Sequence, residues 1–168
     1  MLLIRQQGLT RACFSNLNAC SDVVHGIFLR QQGPGRDGKG ADFNIGLGNG
    51  ADRQTVLANR RAIAGNLGFS GLVFLRQVHG TQVAVIRNSE TARSAAAAAP
   101  EADAAVSAAD QTALAVQTAD CQAVFLYDPV GQTVAGIHSG WRGSISLVIG
   151  ACIRTMQQQF NTDPARLI

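Results

Sequence analysis

Two histidines and one cysteine, His79, Cys121 and His138, are the residues of this chain best suited to chemistry. Each is predicted to lie where an apolar strand gives way to a turn, and layered α/β proteins gather ligand-binding groups at such strand ends. Two imidazoles and a thiolate suit Zn²⁺, and three protein ligands would leave the fourth tetrahedral position open, as in catalytic zinc sites. The spacing alone leaves another interpretation open, because cysteine at a strand end is commonly a small buried hydrophobe and histidine a satisfied polar group.

The segment after His138 has the features of an anion site. Ser139-Gly140-Trp141-Arg142-Gly143-Ser144 is predicted to open a helix, so that free backbone N–H groups and the positive end of the helix dipole face one turn. Arg142 adds a guanidinium group, which binds phosphate well. An anion site beside a metal is what phosphorolysis or phosphate-ester chemistry would need. The alternative is that Arg142 pairs with a carboxylate and that Trp141 fills the core.

Short apolar runs predict the strands that position these residues. The predicted strands cover residues 23–29, 72–75, 82–86, 104–106, 114–116, 124–127 and 134–137. In the later runs the apolar character is continuous rather than alternating, which predicts strands covered on both faces. A chain of 168 residues is long enough for one domain with its own core.

Two helices are predicted from apolar periodicity and from end signals. Asp52 is the predicted cap of the first helix and Gly68 its terminal glycine, with Val56, Ile63 and Leu67 on one face. The second is predicted over residues 144–160. Its apolar positions fit one amphipathic face: Ile145, Val148, Ile149, Cys152, Ile153, Met156 and Phe160.

Three segments are predicted to be irregular. Residues 31–41 form a loop rich in glycine, and residues 43–48 form a glycine-punctuated segment that brings backbone close to a neighbour. The alanine-rich stretch over residues 94–100 is predicted to be a variable, mobile loop, because it is short, has no periodicity and ends in proline.

Composition limits the class of protein. Hydrophobic residues make up 46% of the chain and charged residues 15%, which indicates a globular protein. The net charge is only +3 and no run of Lys or Arg is present, so we expect no nucleic-acid surface. No stretch of about 18 apolar residues could span a membrane. Four cysteines at irregular positions, without a signal-peptide pattern, predict free thiols and a cytoplasmic location.

Three motifs in register resemble the signature of the YfiH/laccase-domain family. They are Gln77-Val78-His79-Gly80, Thr118-Ala119-Asp120-Cys121 and His138-Ser139-Gly140-Trp141-Arg142-Gly143. The supporting matches are Gly26-Ile27-Phe28-Leu29-Arg30, Phe43-Asn44-Ile45-Gly46, Asn59-Arg60 and Ala102-Asp103-Ala104. The resemblance runs from Val24 to the last residue. Ser139 replaces an alanine of the family motif, Ala123 replaces a frequent proline, and family members continue past Ile168.

The resemblance implies a zinc site held by His79, Cys121 and His138. It also implies an α/β fold, a layered single domain over residues 1–168 with mixed β-sheets flanked by helices, lacking its C-terminal portion. Family members are described as purine nucleoside enzymes that cleave adenosine, inosine or methylthioadenosine with phosphate, and some also deaminate adenosine. The expected partners are therefore a purine nucleoside and phosphate.

Further residues are assigned roles as hypotheses. The expected catalytic residues are Cys121, His138 and Asp120. Asp120 would orient a ligand or move a proton, or it would only cap a turn. The residues expected to bind substrate or phosphate are Arg142, Asn44, Arg30 and Arg60.

Three other functions use the same residues. A His₂Cys set also binds Cu²⁺, as a polyphenol oxidase would require, but the three histidines of this chain are too few for a multicopper cluster. A metal-free cysteine hydrolase would use Cys121 as the nucleophile and His138 or His79 as the base. A binding or scaffold domain without turnover is the remaining alternative.

Overall fold

A computed structural model of the chain describes residues 1–32, 41–47, 50 and 52–168. These residues form two compact units, Met1–Gly71 and Leu72–Ile168. The single domain expected over residues 1–168 stays a prediction. Within the predicted loop over residues 31–41, residues 33–40 lie outside the described residues, as does Gly48 of the next segment.

The first unit contains two small antiparallel sheets and one long helix. Strands β1 (Leu2–Gln6), β2 (Leu9–Cys13) and β3 (Ile27–Phe28) form a sheet in the order β1-β2-β3. A short helix α1 (Ser15–Asn18) lies between β2 and β3, and β4 (Gln31–Gln32) pairs with β5 (Ala41–Asp42). The strand predicted over residues 23–29 is therefore limited to two residues, and β1 and β2 were not predicted.

Helix α2 (Arg53–Leu67) begins and ends where its local signals predict. The Asp52 carboxylate accepts a hydrogen bond from the Thr55 N–H at 2.8 Å, and Gly68 ends the helix in the left-handed conformation. Val56 and Ile63 on its apolar face are buried. The predicted helix is confirmed.

The second unit contains a mixed four-stranded sheet and a separate pair of parallel strands. The sheet has the order β10 (Gln122–Asp128), β11 (Thr133–Ser139), β8 (Ala104–Ser107) and β7 (Val83–Ile86), with only β7 and β8 parallel. Strand β6 (Leu72–Phe74) pairs in parallel with β9 (Ala113–Ala115). Mixed sheets with helices packed on them confirm the predicted fold class.

The main core of this unit lies between the four-stranded sheet and helix α5 (Val148–Phe160). From the helix it contains Val148, Cys152 and Met156, each with 0% of its surface exposed, and from the sheet Val106 and Ile137. The apolar runs 104–106 and 134–137 thus lie in largely buried strands, whereas the runs 114–116 and 124–127 are mostly half-buried. A 3-10 turn over Pro164–Arg166 follows the helix.

The alanine-rich stretch is helical, so its prediction as a mobile loop is wrong. Helix α3 (Ser89–Ala98) starts with a capping box, in which the Asn88 side chain accepts from the Thr91 N–H and the Thr91 hydroxyl oxygen accepts from the Asn88 N–H. Ala95 packs on a small cluster with Val73 and Ile86. Capping, alanine propensity and this contact outweigh the lack of a strong apolar face.

The helix predicted over residues 144–160 is divided in two. Helix α4 (Trp141–Ile145) ends before Leu147, whose φ of 62° is left-handed, and α5 begins at Val148. Ile145 is 74% exposed, so its predicted place on the apolar face is wrong. None of the helices in the described ranges is long and apolar enough to cross a bilayer.

Candidate metal centre

Two of the three candidate ligands lie at adjacent ends of β10 and β11, which are neighbouring strands of the four-stranded sheet. His138 is the second-last residue of β11 and is 3% exposed. Cys121 directly precedes β10, so the prediction that it ends a strand is wrong. In the antiparallel register Ala123 pairs with His138 and Gln122 with Ser139, which brings Cys121 beside Gly140.

The third candidate ligand lies on the connection between β6 and β7. These two strands belong to different sheets, and the connection between them carries His79 with a φ of 61°. That left-handed conformation is uncommon for a residue with a Cβ atom. The His79 side chain is exposed, Cys121 is partly buried and His138 is buried. The three residues therefore form a site with a closed side and a side open to solvent.

The three side chains lie close enough to hold one metal ion. One ligand atom from each residue lies within 4.8 Å of the others, and the Cys121 Sγ lies 3.9 Å from the His79 Nε2. The His79 and His138 rings are almost perpendicular, with centroids 4.8 Å apart. Bond lengths to tetrahedral zinc imply ligand atoms about 3.4–3.6 Å apart. Small side-chain movements would bring the observed atoms to that spacing, so these residues fit a zinc ion.

Gly140 provides the space that His79 occupies. A Cβ atom built on Gly140 would lie 2.6 Å from the His79 Cδ2 and 3.3 Å from the Cys121 Sγ. The backbone of Gly140 is extended, so the absence of a side chain is required by this close approach and not by the dihedral angles. Next to it, the Ser139 and Ser144 hydroxyls form a hydrogen bond of 2.8 Å.

Asp103 is the polar residue of the site that the sequence did not assign. It is fully buried, and its Oδ1 lies 2.8 Å from the His138 Nδ1. Its carboxylate also accepts hydrogen bonds from the backbone N–H groups of Val78, His79 and Gly80 at 3.1, 2.9 and 2.7 Å. Two signals were available: the Ala102-Asp103-Ala104 match to the family, and a lone acid in the apolar run 102–106, because acids are rarely buried unless paired.

The hydrogen bonds at Asp103 favour its ionised form. Burial raises the pKa of the carboxyl, but the His138 ring and the N–H groups of Gly80, Val78 and His79 lower it by more. The net result is a pKa below the ordinary value for aspartate. The closed side of the site thus carries a buried negative charge, which favours a cation next to it.

Trp141, Arg142 and Asp120 are exposed residues that lie close in sequence to the candidate ligands. Trp141 is 68% exposed, so it does not fill the core, and the Arg142 guanidinium lies over its ring at 5.2 Å from the centroid. Arg142 forms no ion pair with any described residue, so the expected alternative of a carboxylate partner is not seen there. Asp120 is exposed with a φ of 70° and precedes Cys121 directly.

The other residues expected to bind substrate belong to the first unit. The Arg60 Nε donates to the Ile45 carbonyl oxygen at 2.9 Å, and the Asn44 side chain accepts from the Gly46 N–H at 2.9 Å. These contacts hold the segment over residues 43–47. Arg30 lies between β3 and β4, and its carbonyl accepts from the Phe43 N–H. A role for Asn44, Arg30 and Arg60 in binding substrate stays a prediction.

The chain is similar to curated proteins named purine nucleoside phosphorylase. It is 39% identical over 129 residues to one from Streptomyces coelicolor, which covers 76% of this chain and 51% of that protein. It is 31% identical over 146 residues to one from Corynebacterium glutamicum, covering 86% and 58%. The chain therefore spans little more than half the length of these relatives.

A solved structure and a family model both match this chain. The crystal structure of YlmD from Geobacillus stearothermophilus superposes with a TM-score of 0.79 at 26% identity, covering 98% of this chain and 62% of that one. The family model described as multi-copper polyphenol oxidoreductase laccase matches residues 24–168, which include every ligand of the candidate centre. The chain thus belongs to this family, the YfiH/laccase-domain family that its three motifs indicate.

Proposed function

We propose that this protein is a zinc-dependent purine nucleoside phosphorylase. One observation carries the proposal: His79, Cys121 and His138 bring two imidazoles and a thiol within 4.8 Å of one another, with one side exposed. Similarity to proteins named purine nucleoside phosphorylase supports the substrate class. The proposed substrates are adenosine, inosine or methylthioadenosine together with phosphate, and adenosine deamination is proposed as a second activity.

In this proposal His79, Cys121 and His138 hold the zinc ion. Bound zinc supplies a Lewis acid and lowers the pKa of a bound water toward neutrality. His138 contributes the buried, fixed ligand, and His79 the exposed ligand next to the incoming substrate. Three protein ligands would leave one zinc position free for water or substrate, and substrate would enter from the exposed side of the three residues.

The residues at the open side are proposed to bind and orient the substrate. Arg142 lies two residues beyond Gly140 with its guanidinium exposed, and it would bind phosphate or the ribose hydroxyls. Asp120 is exposed beside Cys121, where it would accept or return a proton. Replacing Arg142 by Ala is expected to raise the KM for phosphate more than it lowers kcat.

Two competing functions use the same three residues. The description of the matching family names copper, and a His₂Cys set also suits that metal. The distance of 3.9 Å from the Cys121 Sγ to the His79 Nε2 also suits a metal-free cysteine nucleophile with a histidine base. Metal content separates the three functions.

The test is elemental analysis of protein purified without a metal-affinity column. Wild type is expected to carry about one equivalent of zinc, and Cys121→Ala to carry none. Cys20→Ala is the matched control, because Cys20 is a free, partly exposed thiol of the first unit and should leave the zinc in place. Copper in place of zinc would favour the oxidase. Folded wild type without any metal, after incubation with zinc, would refute the proposal.

The activity test follows for the zinc-loaded chain. Release of free purine base from inosine, adenosine or methylthioadenosine should depend on added phosphate and disappear in Cys121→Ala. Release of base at equal rates with and without phosphate would indicate hydrolysis instead. Conversion of adenosine to inosine in the same samples measures the proposed deamination.

A further inference from the structure

One buried carboxylate contacts both histidine segments of the candidate centre. Asp103 lies directly before β8, and it meets His138 twice: its Oδ1 lies 2.8 Å from the Nδ1, and its carbonyl oxygen accepts from the His138 N–H at 2.7 Å. The same carboxylate accepts from three successive N–H groups at residues 78–80. We propose that Asp103 is a positioning residue that sets the His138 tautomer and the backbone at His79 before any metal binds. This inference rests on the proposed metal site.

The contact with His138 determines which ring nitrogen is available to a metal. An ionised carboxylate only accepts hydrogen bonds, and the other three groups around Asp103 are all donors. The His138 Nδ1 must therefore carry its proton and donate it to Asp103. The Nε2 then keeps its lone pair, which is the form that a metal ligand requires.

The contacts with residues 78–80 act on His79. Its φ of 61° is unfavourable for a residue with a Cβ atom, so the conformation needs support from its surroundings. Three consecutive N–H groups converge on the two oxygens of Asp103, in the manner of an anion-binding nest. Because the His79 side chain is itself exposed, this contact fixes the position of the backbone from which the side chain extends toward the site.

Asp103→Asn tests the two effects with little change in shape. An asparagine offers one oxygen and one NH₂ group in place of two oxygens, so at least one of the four donors would face another donor. An amide that turns its NH₂ toward His138 would donate to the Nδ1 and place the ring proton on the Nε2. That tautomer cannot bind a metal through the Nε2.

The tautomer is measured by ¹H–¹⁵N correlation NMR of the histidine rings in metal-free protein, at about pH 8. Wild-type His138 is expected to carry its proton on the Nδ1 only. In Asp103→Asn the Nε2-protonated form should appear, and zinc affinity by chelator competition should fall about 10- to 100-fold. Asp110→Asn is the matched control, since Asp110 is exposed in the same unit and should change neither quantity.

Each outcome supports or overturns the positioning role of Asp103. A proton on the Nε2 of wild-type His138 would overturn the proposal, even if Asp103→Asn failed to fold. A folded Asp103→Asn protein with an unchanged tautomer and zinc affinity would also overturn it. The tautomer experiment needs neither metal nor substrate. If the tautomer depends on Asp103 but the wild type binds no zinc, the positioning role stands and the proposed function fails.

Discussion

Gly140→Ala should remove metal binding without unfolding the protein. The added Cβ would lie 2.6 Å from the His79 Cδ2, and two carbon atoms need about 3.5 Å, so the ring must move by about 0.9 Å. Metal–ligand distances tolerate only about 0.2 Å. The His79 side chain is exposed and can turn into solvent, so the clash is relieved by losing this ligand.

The cost to folding should be small for the same reason. Gly140 has an extended backbone, with φ −71° and ψ 169°, which alanine adopts without strain. Alanine is a poorer helix cap than glycine by less than about 1 kcal/mol, and the reduced freedom of the unfolded chain offsets about 0.4–1 kcal/mol. These two effects nearly cancel, so the free energy of unfolding of the metal-free protein should change little.

The expected result is a loss of zinc affinity of at least about 100-fold, or about 2.8 kcal/mol, because a whole ligand is lost and not only its support. Competition with a zinc-binding dye measures it, and urea denaturation checks the fold. Gly136→Ala is the matched control, since Gly136 lies in β11, which ends just before Gly140, and its added Cβ would only touch Leu114 and Val116 at 3.8 Å. Zinc affinity equal to wild type in folded Gly140→Ala would refute the position assigned to the His79 ring.

Three further predictions concern stability and are measured by urea denaturation. Asn88→Ala removes the capping box of α3 and should lower the free energy of unfolding by about 1 kcal/mol. Asn88→Gly should lower it by only about a few tenths of a kcal/mol, and equal losses in the two variants would contradict the capping role. Leu147→Gly should raise the free energy of unfolding by about 1 kcal/mol, because Leu147 is exposed and its φ of 62° is strained for a residue with a Cβ atom. Ile145→Gly in α4 is the control and should lower the free energy of unfolding by a similar amount. A loss of stability at both positions would contradict the strain at Leu147. Burial raises the pKa of the Cys152 thiol to about 12, so the folded protein keeps a proton that the unfolded chain releases above about pH 8.5. The stability is therefore fully present below that pH, and from pH 8 to 10 the wild type should lose about 2 kcal/mol more than Cys152→Ala. Parallel pH curves for the two proteins would contradict this.

The elements that follow from local signals are those the sequence predicts well. Helix α2 has its cap at Asp52 and its terminal glycine at Gly68 within the segment itself, so no distant contact is needed to place its ends. The two central strands of the four-stranded sheet, β8 and β11, are largely buried, and their apolar runs therefore reflect their surroundings directly. Helix α3 was not predicted because its capping asparagine, Asn88, lies outside the alanine-rich stretch over residues 94–100.

The break at Leu147 shows what periodicity cannot reveal. The apolar spacing from residue 148 onward continues backward to Ile145, so a single helix satisfies the pattern. In the structure Ile145 and Leu147 are exposed while Val148 is fully buried, so the buried face of α5 begins only at Val148. Leucine carries no local signal for a left-handed residue, and only the packing of α5 on the sheet sets the position of the break.

The candidate centre was predicted from residue types and from the three motifs that resemble the family signature, because His and Cys near strands commonly have structural roles as well. Their grouping was not fixed by spacing: His79 and Cys121 are separated by 42 residues, yet their ligand atoms lie 3.9 Å apart. The role of Asp103 depends on three segments that meet only in the folded chain. The sequence therefore gave no sign of this role, although Asp103 is a charge in an apolar run and part of the Ala102-Asp103-Ala104 match to the family.

The sheet topology explains why one carboxylate serves both histidines. Strands β6 and β7 lie in different sheets, and residues 78–80 lie on the connection between them. Their N–H groups therefore have no partner in a strand ladder and require another acceptor, which is Asp103. Strand β8 lies beside β7 on one side and β11 on the other, and its pairing of Ala104 with Ile137 places the preceding Asp103 beside His138. An acceptor at this point therefore reaches both the backbone of residues 78–80 and the buried His138 ring. The need to satisfy backbone N–H groups and the need to orient a ligand are met by the same residue, so a substitution at Asp103 should affect folding and metal binding together, whereas one at Gly140 should separate them.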